Sequence, residues 1–336
     1  MPPSLSTGMV LRARYRVTQL LHQSRHAEIY LVEDQHLKDR VWAVRVMPVY
    51  SVDPYERTRV VGEFNAEAQR LSQLDHPTLA KVVDYFVEGS NLCIVREFVQ
   101  GTDLEQLLTA RVTPMGERDA LQAVTQILDA MAYLLGRKVP AVFFRELTAR
   151  NIIICKSGQV KLLDLGLARA FVSLDNDAVM RVGSLDYASP EQFSESGTFD
   201  QRSLVYSVGA ILYHMLTRRN PALSPFALDP IEEVNPNVST GVEEMVNRAT
   251  ENEPRSRYAS LLDLKKQIQH VSRSPLVPAR SRGGRGSDRD GWHVRPPTED
   301  DEESFDGSIW HWILVAVLVS LMSGALLAIY YYFFRP

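Results

Sequence analysis

The stretch FRELTARN (144–151), followed by DLG (164–166), decides how this chain is interpreted. Six further landmarks surround it in a fixed order, namely AVRV (43–46), Glu67, HP (76–77), REF (96–98), SPE (189–191) and Arg257. A single match of three residues means little, because short matches arise by chance in many chains. Eight landmarks in one order indicate one particular architecture.

The composition excludes several classes of protein. With 45% hydrophobic and 23% charged residues, the chain is neither mostly disordered nor fibrous. A length of 336 residues predicts two domains, or one bilobal unit with additional segments. The 37 basic and 41 acidic residues give a net charge of -4, which argues against a nucleic-acid partner, since such proteins carry a basic surface. Cys93 and Cys155 are too few for a disulfide framework or a zinc site.

Apolar periodicity divides the chain into two halves. Short β-branched and aromatic runs predict strands over 15–21, 27–34, 40–49 and 91–99. One helix interrupts them from Val60 to Leu74, where apolar residues recur every three or four positions. After residue 115 helical patterns dominate, at 121–135, 204–216, 239–250 and 258–270. The run 204–216 is apolar nearly all round, which predicts a helix buried on every side. This order of elements is an α+β, two-lobed outline.

Together the landmarks resemble the eukaryotic-type serine/threonine protein kinases, and in style the membrane-anchored bacterial members of that family. The resemblance covers residues 15–271 and implies the bilobal protein-kinase fold. It implies a strand-rich N-lobe over 15–98 and a helical C-lobe over 99–271, with residues 1–14 as an N-terminal tail.

The resemblance places the nucleotide-binding loop at HQSRHA (22–27), where the family has three glycines. Glycine lets backbone N–H groups lie close to the phosphates, whereas a side chain restricts φ and blocks that approach. The corresponding residues here are His22, Ser24 and Ala27. His22, Arg25 and His26 offer positive charge instead, although solvated surface side chains are the simpler interpretation.

The resemblance also implies an ATP pocket lined by Ala43, Arg45, Arg96, Glu97 and Phe98. Arg45 stands where the family has a lysine, and its larger planar fork still carries a charge that can pair with Glu67. Arg96 stands at the gatekeeper position before the hinge residue Glu97, where a cation must find a carboxylate or stay solvated. A strand register shifted by one residue, which leaves Arg96 in water, is the alternative. ATP and Mg²⁺ are the implied cofactors if a nucleotide binds at all.

The catalytic loop departs from the family at its chemical positions. Glu146 replaces the aspartate base, and Thr148 replaces the lysine that stabilises the transferred phosphoryl group. With Arg45 and Glu67, these two residues form the candidate catalytic set. Displacement of a reacting group by about 1 Å can cost on the order of a hundredfold in rate.

The metal-ligating positions of the family are retained as Asn151 and Asp164, which predict Mg²⁺ binding. Inherited structure is the alternative explanation, since Asp164 can simply close a turn. Leu204 stands where the family has an aspartate that supports the backbone of the catalytic loop.

Packing positions are also retained. Glu191 and Arg257 match a buried ion pair of the large lobe. An apolar column is matched by Leu71, Phe144 and Leu165. Catalytic positions have changed while packing positions have not, which favours a pseudokinase that acts as a scaffold or allosteric partner of another protein. The alternative is an active serine/threonine kinase that transfers the ATP γ-phosphate to a protein substrate, with Glu146 as base.

The C-terminal residues predict a tether and a membrane anchor. Residues 272–308 are polar and rich in proline and charge, which predicts a disordered tether. Residues 309–334 are apolar, carry aromatic residues at both ends and are long enough to span about 30 Å of hydrocarbon. The first residues lack the apolar core of a signal peptide. We therefore expect a single-pass protein of the cell membrane whose kinase-like domain is cytoplasmic.

Overall fold

The computed structural model describes residues 5–24, 27–49, 53–137, 147–163, 187–194 and 199–273. All of these residues belong to the same unit of the chain. The predictions for the tether, the membrane helix and six single residues lie outside the described residues, namely those for Arg25, His26, Phe144, Glu146, Asp164 and Leu165. Within the described ranges, no helix is long and apolar enough to cross a membrane.

A six-stranded antiparallel sheet forms the first lobe. Its strands are β1 (Val10–Leu11), β2 (Tyr15–Gln23), β3 (Glu28–Asp34), β4 (Val41–Pro48), β5 (Val82–Glu88) and β6 (Asn91–Glu97). Their spatial order is β1-β2-β3-β4-β6-β5. The four predicted strands are confirmed as β2, β3, β4 and β6, whereas β1 and β5 are additional. The alternation of a strand is clearest in β3, where every second residue is buried.

Residues 1–14, which the resemblance sets apart as a tail, belong to this lobe from Leu5 onward. Leu5 is buried, and β1 pairs with the start of β2. The tight turn between these strands holds Arg12 and Ala13 at φ 49°, in the left-handed region that non-glycine residues rarely adopt. The Arg12 side chain reaches β5, the last strand in the spatial order. Its Nη1 donates to Asp84 Oδ1 at 2.8 Å, and this contact supports the turn.

Side chains close the sheet between β2 and β5, which are not neighbours in the strand order. The Tyr15 hydroxyl donates to Asp84 Oδ2 at 2.8 Å, and its ring stacks on Phe86 with centroids 6.0 Å apart. The curled sheet encloses an apolar interior that includes Cys93. Burial raises the pKa of the Cys93 thiol to about 12, so this thiol stays protonated and unreactive at neutral pH.

Helix α1 (Pro54–Ser72) covers the other face of the sheet. Asp53 begins it by accepting a hydrogen bond from Tyr55 N at 3.0 Å, and Pro54 occupies the first turn, where no N–H is needed. Phe64 is fully buried and meets Tyr85 of β5 edge to face, with centroids 6.4 Å apart. The predicted helix over 60–74 is thus confirmed, with its start six residues earlier.

Helices dominate the second lobe. They are α2 (Leu104–Ala110), α3 (Glu117–Gly136), α4 (Gln201–Thr217), α5 (Ile231–Val234), α6 (Thr240–Ala249) and α7 (Leu261–Arg273). Three short strands accompany them, β7 (Thr102–Asp103), β8 (Ile152–Ile154) and β9 (Val160–Leu162). The predicted burial of 204–216 on every side is confirmed in α4. Gly209 lets α4 approach α6, because a Cβ at this position would lie 2.8 Å from Ala249 Cβ.

The segment that follows α1 ties the first lobe to the second. Leu162 N of β9 donates to Thr78 O at 2.7 Å, and Ala80 N donates to Leu162 O at 3.0 Å. The His76 ring lies against Tyr133 of α3, with centroids 5.1 Å apart. Main-chain and aromatic contacts therefore fix the end of α1 to the helical lobe.

The predicted ion pair between Glu191 and Arg257 is confirmed. Arg257 Nη1 donates to Glu191 Oε1 at 2.7 Å, and Nη2 donates to Oε2 at 2.9 Å. The Arg257 side chain is 0% exposed. Its remaining hydrogen bonds go to main-chain carbonyls, those of Arg202, Glu251 and Asn252. Burial alone would raise the pKa of Glu191, but the hydrogen bonds from Arg257 and Ser203 hold this pKa below its ordinary value.

We expect Arg257→Met to lower the free energy of unfolding by about 3–5 kcal/mol, because it leaves the Glu191 carboxylate buried without its cation. Urea denaturation measures this change. Arg219→Met is the matched control: Arg219 and Asp229 form a surface pair, 53% and 45% exposed, whose loss costs at most about 1 kcal/mol. Equal losses in the two variants would contradict the assigned role of Arg257.

The depressed pKa of Glu191 also fixes the sign of a pH dependence. A carboxyl group with a lowered folded-state pKa stabilises the protein above its unfolded-state value of 4.5, and this stabilisation disappears as the pH falls through the folded-state pKa. The difference in free energy of unfolding between the unmodified protein and Arg257→Met should therefore shrink as the pH falls below 4.5. Urea denaturation at several pH values measures this difference.

Candidate functional site

Three of the predicted pocket residues share one face of the sheet. In the antiparallel pair β4–β6, Ala43 lies directly opposite Arg96, and Arg45 lies opposite Ile94. Because side chains alternate between the two faces, Ala43, Arg45 and Arg96 point to the same side. Arg96 is only 5% exposed, so the register places this cation inside the protein and not in water. Two arginines of neighbouring strands therefore line one wall of the site.

Glu67 lies on the buried side of α1. Its Oε2 is 3.6 Å from Nη1 of Arg70, three residues later in the same helix. A buried carboxylate in this position is unusual for an ordinary core, which agrees with a role in a site. The predicted pair between Arg45 and Glu67 stays a prediction.

Contacts between Ser24 and Ala27 close the loop at 22–27, of which residues 25 and 26 lie outside the described residues. Ser24 N donates to Ala27 O at 2.9 Å. Ala27 N donates to Ser24 Oγ at 3.1 Å, so the serine hydroxyl takes an N–H that a glycine at this position would leave to a ligand. This N–H of the loop is satisfied within the protein. The expected steric restriction by side chains in place of glycine stays a prediction.

The hinge residue Glu97 is tied to the second lobe. Glu97 ends β6, its N–H donates to Lys81 O at 2.9 Å, and the half-buried Phe98 follows it. The Glu97 carboxylate pairs with Lys161 Nζ of β9 at 2.8 Å, and the Lys161 side chain is only 12% exposed. Gly101 then passes close to β8, where a Cβ would lie 2.5 Å from a side chain of that strand. The carboxylate of the hinge residue therefore forms an ion pair with Lys161 of the second lobe.

The described end of the catalytic loop is a 3₁₀ turn, Ala149–Asn151, which the half-buried Thr148 precedes. Asn151 N donates to Thr148 O at 3.0 Å, and Leu163 N donates to Asn151 O at 2.8 Å. The candidate metal ligand Asn151 is therefore anchored to the residue that immediately precedes Asp164 in the sequence. The second ligand and the base at 146 lie outside the described residues, and their roles stay predictions.

Leu204 stands in place of the family's aspartate, and an ion pair lies at the described end of the catalytic loop. Leu204 is fully buried and has no polar group to offer a backbone. Arg150 instead makes a bidentate pair with Glu105 of α2, with Nε–Oε2 at 2.6 Å and Nη2–Oε1 at 3.0 Å. These hydrogen bonds lower the pKa of Glu105 and keep it ionised.

Sequence reasoning missed the pairs Lys161–Glu97 and Arg150–Glu105. Their partners are 64 and 45 residues apart, so no local pattern joins them. The one available signal was charge: each pair combines opposite charges that sit beside a landmark of the family.

These residues fit an ATP–Mg²⁺ complex only in part. Asn151 offers an oxygen to a hard cation, and Arg45 offers a charge to a phosphate. The bond between Ala27 N and Ser24 Oγ and the buried Arg96 do not favour such a ligand. Among the residues that the structure describes, no group of three or more His, Cys, Asp or Glu side chains is placed to hold a metal.

Comparison with known proteins agrees with this architecture. The protein kinase domain family matches residues 15–272. The probable serine/threonine-protein kinase PknB of Lactococcus lactis is 29% identical over 82% of this chain, and the serine/threonine-protein kinase PrkC of Bacillus subtilis is 30% identical over 78%. These alignments cover 44% and 41% of the two relatives, so the chain spans less than half of their length.

Solved structures show the same fold. The kinase domain of Mycobacterium tuberculosis PknI has a TM-score of 0.61 at 22% identity over 80% of this chain and 99% of that chain. A structure of Rad53 in complex with AMP-PNP has a TM-score of 0.60 at 18% identity over 76% of this chain and 65% of that chain.

The two lobes and the landmarks between them define a protein kinase domain. This chain belongs to the protein kinase family, and its bacterial relatives are of the eukaryotic serine/threonine type. The predicted kinase family and bilobal fold are confirmed.

We expect Glu97 and Lys161 to be energetically coupled, because the Lys161 side chain is only 12% exposed and Glu97 supplies its charge partner. Glu97→Gln should destabilise the domain, and the double variant with Lys161→Met should recover part of the loss, giving a coupling of about 0.5–3 kcal/mol. Denaturation of the four proteins measures this energy. Lys81→Met is the control, since Lys81 pairs with Asp75 at 3.5 Å on the surface, 55% and 81% exposed. A coupling near zero for Glu97 and Lys161 would disprove the link.

Proposed function

We propose that this chain is a pseudokinase-like signalling protein, a scaffold or allosteric partner with weak or no ATP binding. The closed loop carries the proposal, because the Ala27 N–H is taken by Ser24 Oγ at 3.1 Å. A phosphate held in the manner of the family needs backbone N–H groups that point at it. Binding at this loop has to replace an internal hydrogen bond first. The buried Arg96 is a second obstacle, since the resemblance places it against the adenine.

The catalytic loop supports the same proposal. Thr148 is uncharged where the family has a lysine, and Leu204 is apolar where the family has an aspartate. Phosphoryl transfer depends almost wholly on positioning and electrostatic stabilisation, and both substitutions remove a contribution of this kind.

The partner in this proposal is another protein, which binds the large lobe and the activation segment (164–191). The support is the retained ion pair of Glu191 with Arg257, which fastens the end of that segment to the lobe. A buried pair of this kind is costly to break. It holds Glu191, at the end of the activation segment, against the large lobe whether or not catalysis occurs.

An active serine/threonine kinase is the second candidate. It is favoured by the anchored position of Asn151 and by the charge that Arg45 retains on the wall of the site. In that case ATP and Mg²⁺ are the cofactors, Asn151 and Asp164 hold the metal, and Glu146 accepts the proton of a protein hydroxyl.

If the closed loop and Arg96 limit nucleotide binding, millimolar ATP with Mg²⁺ should stabilise the protein by less than about 1.5 kcal/mol. Arg96→Met should increase this stabilisation, because a neutral side chain of similar length replaces a buried guanidinium. Thermal denaturation with and without Mg²⁺ measures both effects. Arg40→Met, the same substitution at an exposed arginine, is the control. A large Mg²⁺-dependent shift in the unmodified protein would overturn the proposal.

A phosphotransfer assay separates the two candidates. The pseudokinase proposal expects no signal above background and only a small gain from Glu146→Asp. Combined with Thr148→Lys and Arg45→Lys, the gain should exceed the sum of the single gains, since these groups act as a unit. Autophosphorylation at Ser173 or Ser184 that Glu146→Gln abolishes would instead establish the active kinase and rule out a contaminant.

We also propose that residues 309–334 anchor the protein in the cell membrane as a single helix, with the kinase-like domain in the cytoplasm. The support is the length and apolar character of this run, with aromatic residues at both ends. The free Cys93 and Cys155 agree with a reducing compartment.

The full chain should therefore sediment with membranes and resist extraction by alkaline carbonate, whereas a chain that ends at residue 273 should remain in the supernatant. Protease added to spheroplasts should leave the kinase-like domain uncut. Carbonate release of the full chain would refute the anchor, and digestion of the domain from outside would refute its placement.

A further inference from the structure

A buried carboxylate stands at the base of the closed loop. Glu28 directly follows Ala27, begins β3 and is 8% exposed. Gln23 Nε2, from the last residue of β2, donates to Glu28 Oε1 at 2.8 Å. The Tyr30 hydroxyl donates to Glu28 Oε2 at 2.6 Å. The bond from Gln23 joins the end of β2 to the start of β3, so Glu28 fastens the two strands where the loop begins and ends.

Tyr30 connects this carboxylate to the N-terminal segment, residues 5–11. The Tyr30 ring is 1% exposed, and its hydroxyl accepts a hydrogen bond from Leu5 N at 3.1 Å. The segment has its own attachment to β2, since Gly8 N donates to Val17 O at 2.8 Å. A continuous chain of hydrogen bonds therefore runs from the N-terminal segment through Tyr30 and Glu28 to the loop.

We propose that Glu28 and Tyr30 are positioning residues that hold Ser24 and Ala27 in contact, with the N-terminal segment fixing the Tyr30 hydroxyl. This inference rests on the proposed function, in which the closed loop limits nucleotide binding. The Tyr30 hydroxyl accepts from Leu5 N and donates to Glu28. Loss of the contact with Leu5 therefore weakens the hold of the hydroxyl on Glu28. Access of a phosphate to the loop then depends on a segment that lies outside the site.

Hydrogen exchange of the full chain, followed by mass spectrometry, tests the proposal. Tyr30→Phe and Gln23→Ala each remove one donor to Glu28, and Gln23 is exposed, so that the second variant tests the brace without disturbing the core. We expect exchange in peptides spanning 22–29 to rise about tenfold in each, the change that the loss of one buried hydrogen bond produces. Peptides of α3 and α4 should keep their exchange rates.

Tyr15→Phe is the matched control. It also removes a buried hydroxyl that donates to a carboxylate in this sheet, Asp84, but at the far end of β2. This variant should lower the melting temperature without faster exchange at 22–29. Unchanged exchange at 22–29 in Tyr30→Phe and Gln23→Ala, or equal acceleration there in Tyr15→Phe, would overturn the proposal.

ATP binding separates this inference from the function on which it rests. In the same variants ATP should stabilise the protein more than it stabilises the unmodified chain, because the loop opens at lower cost. Tight Mg²⁺–ATP binding by the unmodified chain would refute the proposed function and leave the exchange result to decide the role of Glu28 and Tyr30. Faster exchange without any gain in ATP stabilisation would refute the link to nucleotide access.

Discussion

The second lobe depends on the hydrogen bonds and the ion pair of one buried group, the guanidinium of Arg257. A charge in this position is tolerated only if every donor is satisfied, and it makes five hydrogen bonds to four residues. The Tyr206 ring lies 4.9 Å from the guanidinium, and burial raises its pKa to about 12, so the ring stays neutral beside the cation. These partners come from the turn at 190–193, from α4 and from the residues after α6. One cation therefore fixes three parts of the lobe, and none of them can move without exposing it.

The opposite arrangement holds around the candidate site. Buried polar groups need partners, and in a nucleotide-binding protein the ligand supplies some of them. Here the protein supplies one of them itself, because Ser24 Oγ accepts the hydrogen bond of Ala27 N. A site whose polar groups are satisfied internally gains less from a ligand, because each new contact replaces an existing one. This exchange of partners is the physical content of the proposed loss of nucleotide binding.

The sequence predicts the lobes and the packing positions well, because these depend on local periodicity and on apolar character. The strands β2, β3, β4 and β6 and the all-round burial of α4 follow from such patterns. The N-terminal strand does not, since the turn that makes it uses Arg12 and Ala13 at positive φ in place of the glycine or asparagine that normally signals such a turn. Arg12 of this turn pairs with Asp84, some seventy residues later, and no local pattern reveals that contact.

The candidate site shows the same limit. The sequence shows which residues replace the family's glycines. It does not show that the Ser24 hydroxyl bonds to Ala27 N and does not point to solvent. The burial of Arg96 was likewise a question of register, which the pairing of Ala43 with Arg96 settles in the structure. Identities of functional residues are local information, whereas the partners that tune them are set by tertiary contacts.

The distribution of these partners has a consequence for how the site evolves. Glycine at position 24 would free the Ala27 N–H, but Glu28 and Tyr30 would still fasten the strands on either side. Removal of the charge at Arg96 would clear one wall of the site and leave the loop closed. Contacts that share residues or a strand pair do not contribute independently, so each single reversal gains little while the others persist. Under the proposed function, internal contacts of this kind therefore oppose a stepwise return to nucleotide binding.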